Sequence, residues 1–432
     1  MGFKEIVKKI SSRFGLLTAY RRLRENLDFA KVLVCNHNYT LQIRRLRRKQ
    51  GKIRVLFIVS EISKWKEQKL YEEMERSEIF DPLVGISAWN KQMGLSNEEL
   101  ELVHKRAEAF FDQLGDRHVR TVTCDNQLRV YHDLSDFSPD IVFYTEQWSP
   151  CEKQDPCTVS EYALTFFAPY YVGDYCHMQF DCHQLVQRLS YGYFCLNETL
   201  CHEYRKSLRL DFHSCHFIPS GHPGLDYFTE EDTAEGKNEY VIYAPHFSFP
   251  NPKSPDFDEH LSTFDWNGRE ILEYAKSHPE MKWVFKPHPI LREWILDSGF
   301  MDAEELADYY SAWASIGIVC ENGNYQDLFI RSRVMITDSG SFLTEYGATG
   351  KPIIHLICAE NTMKPIEAVK PVWDTYYKVH NLEEMYETFN LVLERGCDPN
   401  NEMRQVAVEN AGIRGGNASK YIVQYMRCLL GR

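Results

Sequence analysis

Three short segments in the second half of the chain combine residues that could bind phosphate. Tyr243–Ser248 reads YAPHFS and contains His246, Lys286–Pro289 reads KPHP and contains His288, and Ile336–Phe342 reads ITDSGSF. Imidazole and ammonium groups donate hydrogen bonds to phosphate oxygens, and the free N–H groups at a helix start do the same. Together the three segments predict a site for a diphosphate.

Each segment has an ordinary structural explanation when taken alone. A single histidine is more often buried and hydrogen-bonded than catalytic, and a helix start rich in Ser and Asp is often only an N-cap. The hypothesis depends on their shared position, because each segment ends a predicted strand, where open α/β sheets bind ligands. The chain has neither a Walker motif nor a Gly-x-Gly-x-x-Gly fingerprint, so a P-loop nucleotidase and a nicotinamide enzyme are not supported.

Strands alternate with helices on both sides of a polar, acidic segment at residues 229–237, which we interpret as a linker. The predicted strands are 53–59, 80–86, 118–122, 140–145, 193–197 and 215–219 before it, and 240–244, 282–286, 316–320, 334–337 and 352–356 after it. The predicted helices are 67–77, 98–114 and 198–208, then 268–277, 303–314, 325–331 and 342–348. This alternation predicts an α/β fold with two doubly wound Rossmann-like domains facing a central cleft.

The domain boundaries follow from the charge pattern and the linker. Of the 432 residues, which carry a net charge of −13, residues 1–50 contain 13 Lys and Arg against three acids, a local charge of +10. We therefore predict a basic helical arm over 1–50, an N-terminal domain over 51–230 and a C-terminal domain with the last helices over 238–432. The remainder of the chain carries −23. This acidic body argues against a nucleic-acid partner, whereas the arm could contact anionic lipid or polymer.

The arm begins with a basic amphipathic pattern over residues 3–16. Two interpretations stay open, a helix packed on the body and a helix that contacts the membrane surface. No apolar run approaches the ~20 residues of a membrane span, and no signal peptide is recognisable. We expect a cytoplasmic protein, peripheral on the inner face of the cell membrane, with its 13 cysteines reduced.

The order of motifs resembles the CDP-glycerol glycerophosphotransferase family of teichoic-acid and capsule-polymer enzymes. The matching motifs are APHFSF, LSTFDWNG at Leu261–Gly268, KPHP, YQDL at Tyr325–Leu328 and ITDSGSFLTEYGATGKPII. Ser220–Asp226 (SGHPGLD) is similar to the Gly-x-Pro-x-x-Asp segment that closes the family's N-terminal domain. The resemblance implies a GT-B arrangement, with the CDP-activated donor on the C-terminal domain and the acceptor on the N-terminal domain.

The implied reaction moves a polyol phosphate, glycerol phosphate first, from CDP-polyol to a hydroxyl of a surface-polymer or lipid-linked saccharide acceptor and releases CMP. No cofactor is implied, and we expect metal independence, although a divalent cation and a homo-oligomer are both compatible with the sequence. By this resemblance, His246 and His288 contact the donor diphosphate, and Asp338 and Glu345 fix the turn and the ribose. The other implied donor-binding residues are Ser248, Thr263, Lys286, Thr337, Ser339, Gly340 and Ser341.

The general base is the point at which the chain departs from the family. Many members have a His-Gly-Thr run there, whereas this chain has Phe167–His177, similar to a Pro-Tyr-Gly variant, which leaves Asp174 or His177 as the base. Cys176-His177 recurs as Cys182-His183, an alternative zinc set. Without a CxxC pair we favour reduced cysteines.

Two other functions also stay open. One is a GT-B glycosyltransferase that uses a nucleotide sugar in capsule or cell-wall synthesis. The other is a non-catalytic assembly partner.

Overall fold

The structure is a computed structural model that describes residues 16–87, 96–125, 128–148, 151–172, 184–207, 216–229, 238–254, 257, 260–321, 325–361 and 364–432. The predicted amphipathic helix, the two base candidates Asp174 and His177, the alternative zinc set and nearly all of the predicted linker lie outside these residues.

The N-terminal half is built on a parallel sheet that has seven strands in the described residues, in the order β3-β2-β1-β6-β7-β8-β9. Its strands are β1 (Ile53–Val59), β2 (Phe80–Ile86), β3 (His118–Arg120), β6 (Ile141–Tyr144), β7 (Leu164–Phe167), β8 (Gly192–Cys195) and β9 (His216–Pro219), with a hairpin of β4 (Val122–Asp125) and β5 (Leu128–Tyr131) beside it. Its helices are α1 (Leu16–Arg48), α2 (Gln68–Arg76), α3 (Asn97–Gln113), α4 (Pro156–Val159), α5 (Leu185–Leu189) and α6 (Glu198–Ser207). Strand β1 is buried along almost its whole length, as its continuous apolar run predicts for a strand covered on both faces.

The C-terminal half has a second parallel sheet, in the order β12-β11-β10-β13-β14-β15 over the described residues. Its strands are β10 (Tyr240–Ala244), β11 (Lys282–Phe285), β12 (Gly317–Val319), β13 (Ser332–Thr337), β14 (Ile353–Leu356) and β15 (Tyr377–Val379). Its helices are α7 (Phe264–Ser277), α8 (Leu291–Ser298), α9 (Ala303–Ile316), α10 (Gln326–Arg331), α11 (Gly340–Glu345), α12 (Lys370–Trp373), α13 (Leu382–Phe389) and α14 (Asn401–Ala411). Strand β10 pairs with β11 on one side and β13 on the other, so the ends of all three strands meet at one edge.

The described part of the basic arm belongs to the N-terminal half and is not a separate arm. Helix α1 buries Cys35, Tyr39 and Leu46 in the same apolar cluster as β1. Two basic side chains of this region, Arg45 and Lys49, form ion pairs with the buried Asp140. The predicted boundary at residue 50 therefore cuts through a packed unit, because hydrophobic burial outweighs the charge bias that suggested an arm.

The last helix, α15 (Ala418–Leu430), packs on the N-terminal sheet and not on the C-terminal domain to which the sequence assigned it. Asp226, the end of the SGHPGLD motif, holds the start of this helix by accepting hydrogen bonds from the N–H groups of Gly416, Ala418 and Ser419 at 2.9, 3.1 and 2.7 Å. A Cβ atom on Gly415 would lie 1.7 Å from a backbone oxygen, so the crossing requires glycine there.

One strand prediction also needs correction, and one strand was missed. The predicted strand 118–122 is divided, because the chain leaves the sheet after Arg120 and turns into the β4–β5 hairpin. Strand β7 lies in an aromatic stretch that the sequence left without an element. Its four residues are all buried, so they show no alternation that would identify a strand.

Candidate active site in the cleft

His246 and His288 lie side by side at the edge of the C-terminal sheet, with ring centroids 4.8 Å apart. Each follows a proline that comes after a strand, and β10 pairs in parallel with β11 through Tyr243 and Phe285. The His288 N–H donates to the carbonyl oxygen of Pro245 at 3.0 Å, which joins the two strand ends. The structure thus brings together the two histidines that the sequence singled out.

Hydrogen bonds fix which ring nitrogen of each histidine carries the proton. The Ser248 N–H donates to Nδ1 of His246 at 3.3 Å, and the Ser248 hydroxyl lies 2.8 Å from the same nitrogen while it accepts from the Leu261 N–H. Nδ1 of His288 accepts from the Ile290 N–H at 3.2 Å. Both Nδ1 atoms are acceptors, so each neutral ring carries its proton on Nε2.

Both histidines are neutral at pH 7. Burial, reinforced by the neighbouring His288, lowers the pKa of His246 well below its usual value. Burial together with the nearby Lys286 ammonium lowers the pKa of His288 to about 4. The pair therefore offers two N–H donors with no positive charge of their own.

The positive charge at this edge comes from Lys286, whose side chain is buried with 7% exposure. Its Nζ lies 4.7 Å from the ring centroid of Tyr325 and 5.3 Å from that of Phe342. Within the described part of the chain it has neither a hydrogen bond nor an ion pair. Burial lowers the pKa of Lys286 and the nearby Lys66 ammonium adds to the fall, whereas Cys320 and Glu345 oppose it without forming an ion pair.

The turn that follows β13 supports these groups through hydrogen bonds within the chain. The buried Asp338 carboxylate accepts from the His246 N–H at 2.6 Å and from the Thr263 N–H and hydroxyl at 2.7 and 2.9 Å. Burial raises the pKa of Asp338 to about 6, and these hydrogen bonds oppose the rise. The Thr337 hydroxyl donates to the Ala244 carbonyl at 2.6 Å. Three of the predicted donor-binding side chains, Thr263, Thr337 and Asp338, thus have partners inside the protein.

The remaining predicted residues occupy the beginning of α11 and its end. Ser339 and Gly340 are buried at the start of the helix, and Ser341 is partly exposed. Glu345 is buried at the last position, where its two oxygens lie 3.2 and 3.3 Å from Nζ of Lys66 and accept from the Tyr325 hydroxyl at 2.7 and 2.9 Å. Lys66 belongs to the N-terminal half, so this ion pair crosses the cleft.

The sequence interpretation missed a second group of polar residues, on the N-terminal side of the cleft. Glu146 follows β6, and its carboxylate accepts from the Ser60 N–H at 3.1 Å and from Nζ of Lys64 at 2.8 Å. The strand-end rule that led to the histidines would also have found Glu146. Nothing in the local sequence marks Lys64 or Lys66.

No group of three or more His, Cys, Asp or Glu residues that could hold a metal ion occurs in the ranges that the structure describes. No helix in those ranges is long and apolar enough to cross a membrane.

Comparison with known proteins finds a partial match to a curated relative and matches to solved structures over most of the chain. No family model matches it. A segment of 132 residues, 30% of the chain, is 31% identical to the minor teichoic acid biosynthesis protein GgaB of Bacillus subtilis (strain 168), and the match spans only 12% of GgaB. A histidine-to-alanine variant of the wall teichoic acid polymerase TagF superposes with a TM-score of 0.53 at 10% identity, over 95% of this chain and 98% of that one.

The resemblance to the CDP-glycerol glycerophosphotransferase family is confirmed. The UDP-GlcNAc 2-epimerase of Neisseria meningitidis, solved with bound UDP-GlcNAc, also superposes with a TM-score of 0.53 at 18% identity, over 87% of this chain and 99% of that one. Both superpositions confirm the predicted fold class, two α/β domains in a GT-B-like arrangement.

Proposed function

We propose that this protein transfers a polyol phosphate, glycerol phosphate in the first instance, from a CDP-polyol donor to a hydroxyl group of a cell-surface polymer or lipid-linked acceptor and releases CMP. The observation that carries the proposal is the buried Lys286 ammonium, which forms no ion pair in the described residues and lies beside two neutral histidines whose Nε2–H groups have no hydrogen-bond partner there. A diphosphate supplies the missing anion and acceptors for both N–H donors.

The geometry suits displacement at phosphorus. Such a transfer proceeds through positioning and charge stabilisation, with the attacking and leaving oxygens roughly in line. The donors of His246 and His288 hold the phosphate oxygens, and Lys286 neutralises the charge that develops on the departing CMP. The His246 N–H donates to the Asp338 carboxylate and Nδ1 of His246 accepts from the Ser248 N–H, so His246 is held in place and little reorganisation is needed when the donor binds.

A nucleotide-sugar glycosyltransferase is the second candidate, and one observation favours it. Glu146 provides a carboxylate on the opposite side of the cleft, which is the group that attack at an anomeric carbon uses as a base. The choice between the two candidates depends on the donor.

A donor screen tests the proposal. Purified protein with an acceptor should release CMP from CDP-glycerol or CDP-ribitol, and His288→Ala should lose nearly all turnover. His380→Ala, an exposed histidine of the same half that pairs with Glu384, is the matched control and should keep full turnover. Transfer from UDP- or GDP-sugars alone would refute the proposal.

We also propose that the outer face of α1 contacts an anionic membrane surface. Phe29, Leu33 and Leu41 are 39 to 54% exposed on this helix, and Arg44 and Arg48 are exposed near its end. Apolar and basic groups on one exposed helix are what interfacial binding requires. Charge reversal of both arginines to Glu should weaken binding to anionic liposomes, whereas reversal of Lys105 and Arg106, exposed on α3, should not.

A further inference from the structure

The N-terminal sheet has a crevice between β1 and β6. From β1 the strand order runs to β2 and β3 in one direction, whereas β6 begins the run to β9 in the other. The chain reverses its direction across the sheet at this point, and open α/β sheets bind ligands just beyond the carboxyl ends of two such strands. Ser60 follows β1 here, and Thr145 and Glu146 follow β6.

The Glu146 carboxylate is fixed at this crevice and can accept further hydrogen bonds. Its side chain is 9% exposed, Oε1 accepts from the Ser60 N–H and Oε2 accepts from Nζ of Lys64. Lys64 also pairs with Glu61 at 3.0 Å, so it is fixed from a second side. Each carboxylate oxygen has two lone-pair sites, and one hydrogen bond to each leaves room for a hydroxyl donor.

A small cavity lies beside Glu146. This cavity is lined by Ser60, Ser87 and Glu146 and has a volume of about 10 Å³, the size of one water or one hydroxyl group. Two buried oxygens of this region, Oε1 of Glu67 and Oε1 of Gln147, have no hydrogen-bond partner among the described residues. Burial, with the charge of Glu146 added, raises the pKa of Glu67 to about 8.

One segment of the N-terminal half contacts both Glu146 and the donor side of the cleft. The segment between β1 and α2 contains Lys64, which forms an ion pair with Glu146, and Lys66, which forms an ion pair with Glu345 of the C-terminal half. Lys66 and Lys286 each lie 4.7 Å from the ring centroid of Tyr325, so the segment that holds Glu146 also reaches the donor side.

We propose that Glu146 is the catalytic residue that takes the proton of the acceptor hydroxyl, and that this hydroxyl binds in the crevice between β1 and β6. The inference rests on the proposed function. As the acceptor oxygen forms its bond to the phosphorus of the polyol phosphate, its proton passes to the Glu146 carboxylate. The bond between that phosphorus and the bridging oxygen breaks, and the electron pair leaves with CMP. Lys64 and Ser60 are positioning residues for the carboxylate.

The test uses Glu146→Gln in the full chain, with CDP-glycerol as donor and a glycerol-phosphate oligomer as acceptor. The amide keeps the size of the side chain and still accepts from Ser60, but it does not take up the proton. We expect kcat to fall about 100- to 1000-fold, within the range for loss of a general base, and the Kd of CDP-glycerol by calorimetry to stay within twofold. Glu146→Asp, which keeps a carboxylate, should recover part of the turnover. Glu161→Gln, at an exposed position of the same half, is the matched control.

A second variant gives an independent readout if Glu146→Gln does not fold. Ser87→Val fills the cavity without a change of charge, and it should raise the KM of the acceptor at least fivefold with donor binding unchanged. Turnover of Glu146→Gln within fivefold of wild type, or an unchanged acceptor KM in Ser87→Val, overturns the inference while the proposed function stands. Failure of the wild-type protein to bind CDP-glycerol refutes the proposed function itself, and the inference with it.

Discussion

Replacement of Lys286 by Met should weaken donor binding and at the same time stabilise the empty protein. Hydrogen bonds to charged groups contribute roughly 1.5–3 kcal/mol. At about 1.4 kcal/mol for each tenfold change in affinity, the Kd of CDP-glycerol should rise about 10- to 150-fold. CMP, which has a single phosphate, should lose less affinity than the diphosphate donor. Calorimetric titration with both nucleotides measures the difference.

The stability effect has the opposite sign because Lys286 is a buried cation that forms no ion pair among the described residues. Burial lowers the pKa of Lys286, so its charged form is less favourable in the folded protein than in the unfolded chain. Methionine has a similar length and carries no charge. Because burial of an unpaired polar group is unfavourable, the free energy of unfolding should rise by about 1 kcal/mol in this variant. Urea titration measures this change.

Lys351→Met is the matched control. Lys351 is another buried lysine of the same sheet, and burial lowers its pKa to about 8. Its Nζ, however, donates to the carbonyl oxygens of Phe329 and Ser332 at 3.4 and 2.6 Å. Its loss leaves these carbonyls without a donor, so this variant should be less stable and bind CDP-glycerol normally. If Lys286→Met also loses stability and keeps its donor affinity, the lysine is structural and the reasoning is wrong.

Three further results should follow. The pKa of His288 is about 4 in the folded protein and near 6.5 in the unfolded chain, so the unfolded chain binds more protons between these pH values. The free energy of unfolding, measured by urea titration, should therefore fall as pH drops through this window, and it should fall less steeply in His288→Gln. Asp226→Ala should lower the free energy of unfolding by about 1–2 kcal/mol, because the N–H groups at the start of α15 lose their acceptor, whereas Asp374→Ala, in an exposed ion pair, should cost less than about 1 kcal/mol. Lys66→Met should lower the free energy of unfolding by about 3–5 kcal/mol, because it leaves Glu345 buried without its cation. Lys66→Met combined with Glu345→Gln should recover much of that loss in a double-mutant cycle, and additive effects would contradict a direct pair.

The sequence was most informative where local rules act. Apolar runs such as β1 and β10 predicted strands at their observed bounds, because a buried parallel strand needs a continuous apolar segment. The proline that follows β10, and the one that follows β11, predicted histidines at a sheet edge, and both are there. The motif order was also enough to identify the family resemblance, since it depends only on residues and their spacing.

Contacts between distant segments could not be predicted from the sequence. The +10 charge of residues 1–50 suggested an arm, yet α1 is packed into the N-terminal half, because the buried face of a helix is decided by the surface that it meets. The same holds for α15, because the sequence does not show that Asp226 of the N-terminal half accepts hydrogen bonds from the start of this helix. The cross-cleft pair of Lys66 and Glu345 joins residues 279 positions apart.

By itself, then, the sequence determined the two sheets, the edge at which His246, Lys286 and His288 meet, and a chemistry suited to diphosphate. The tertiary structure decided the state of those groups. A local pattern sets which residues end a strand, but protonation depends on burial and on partners brought in by folding. For that reason only the folded protein shows two neutral histidines, a lysine without a counter-ion in the described residues and a carboxylate, Glu146, across the cleft.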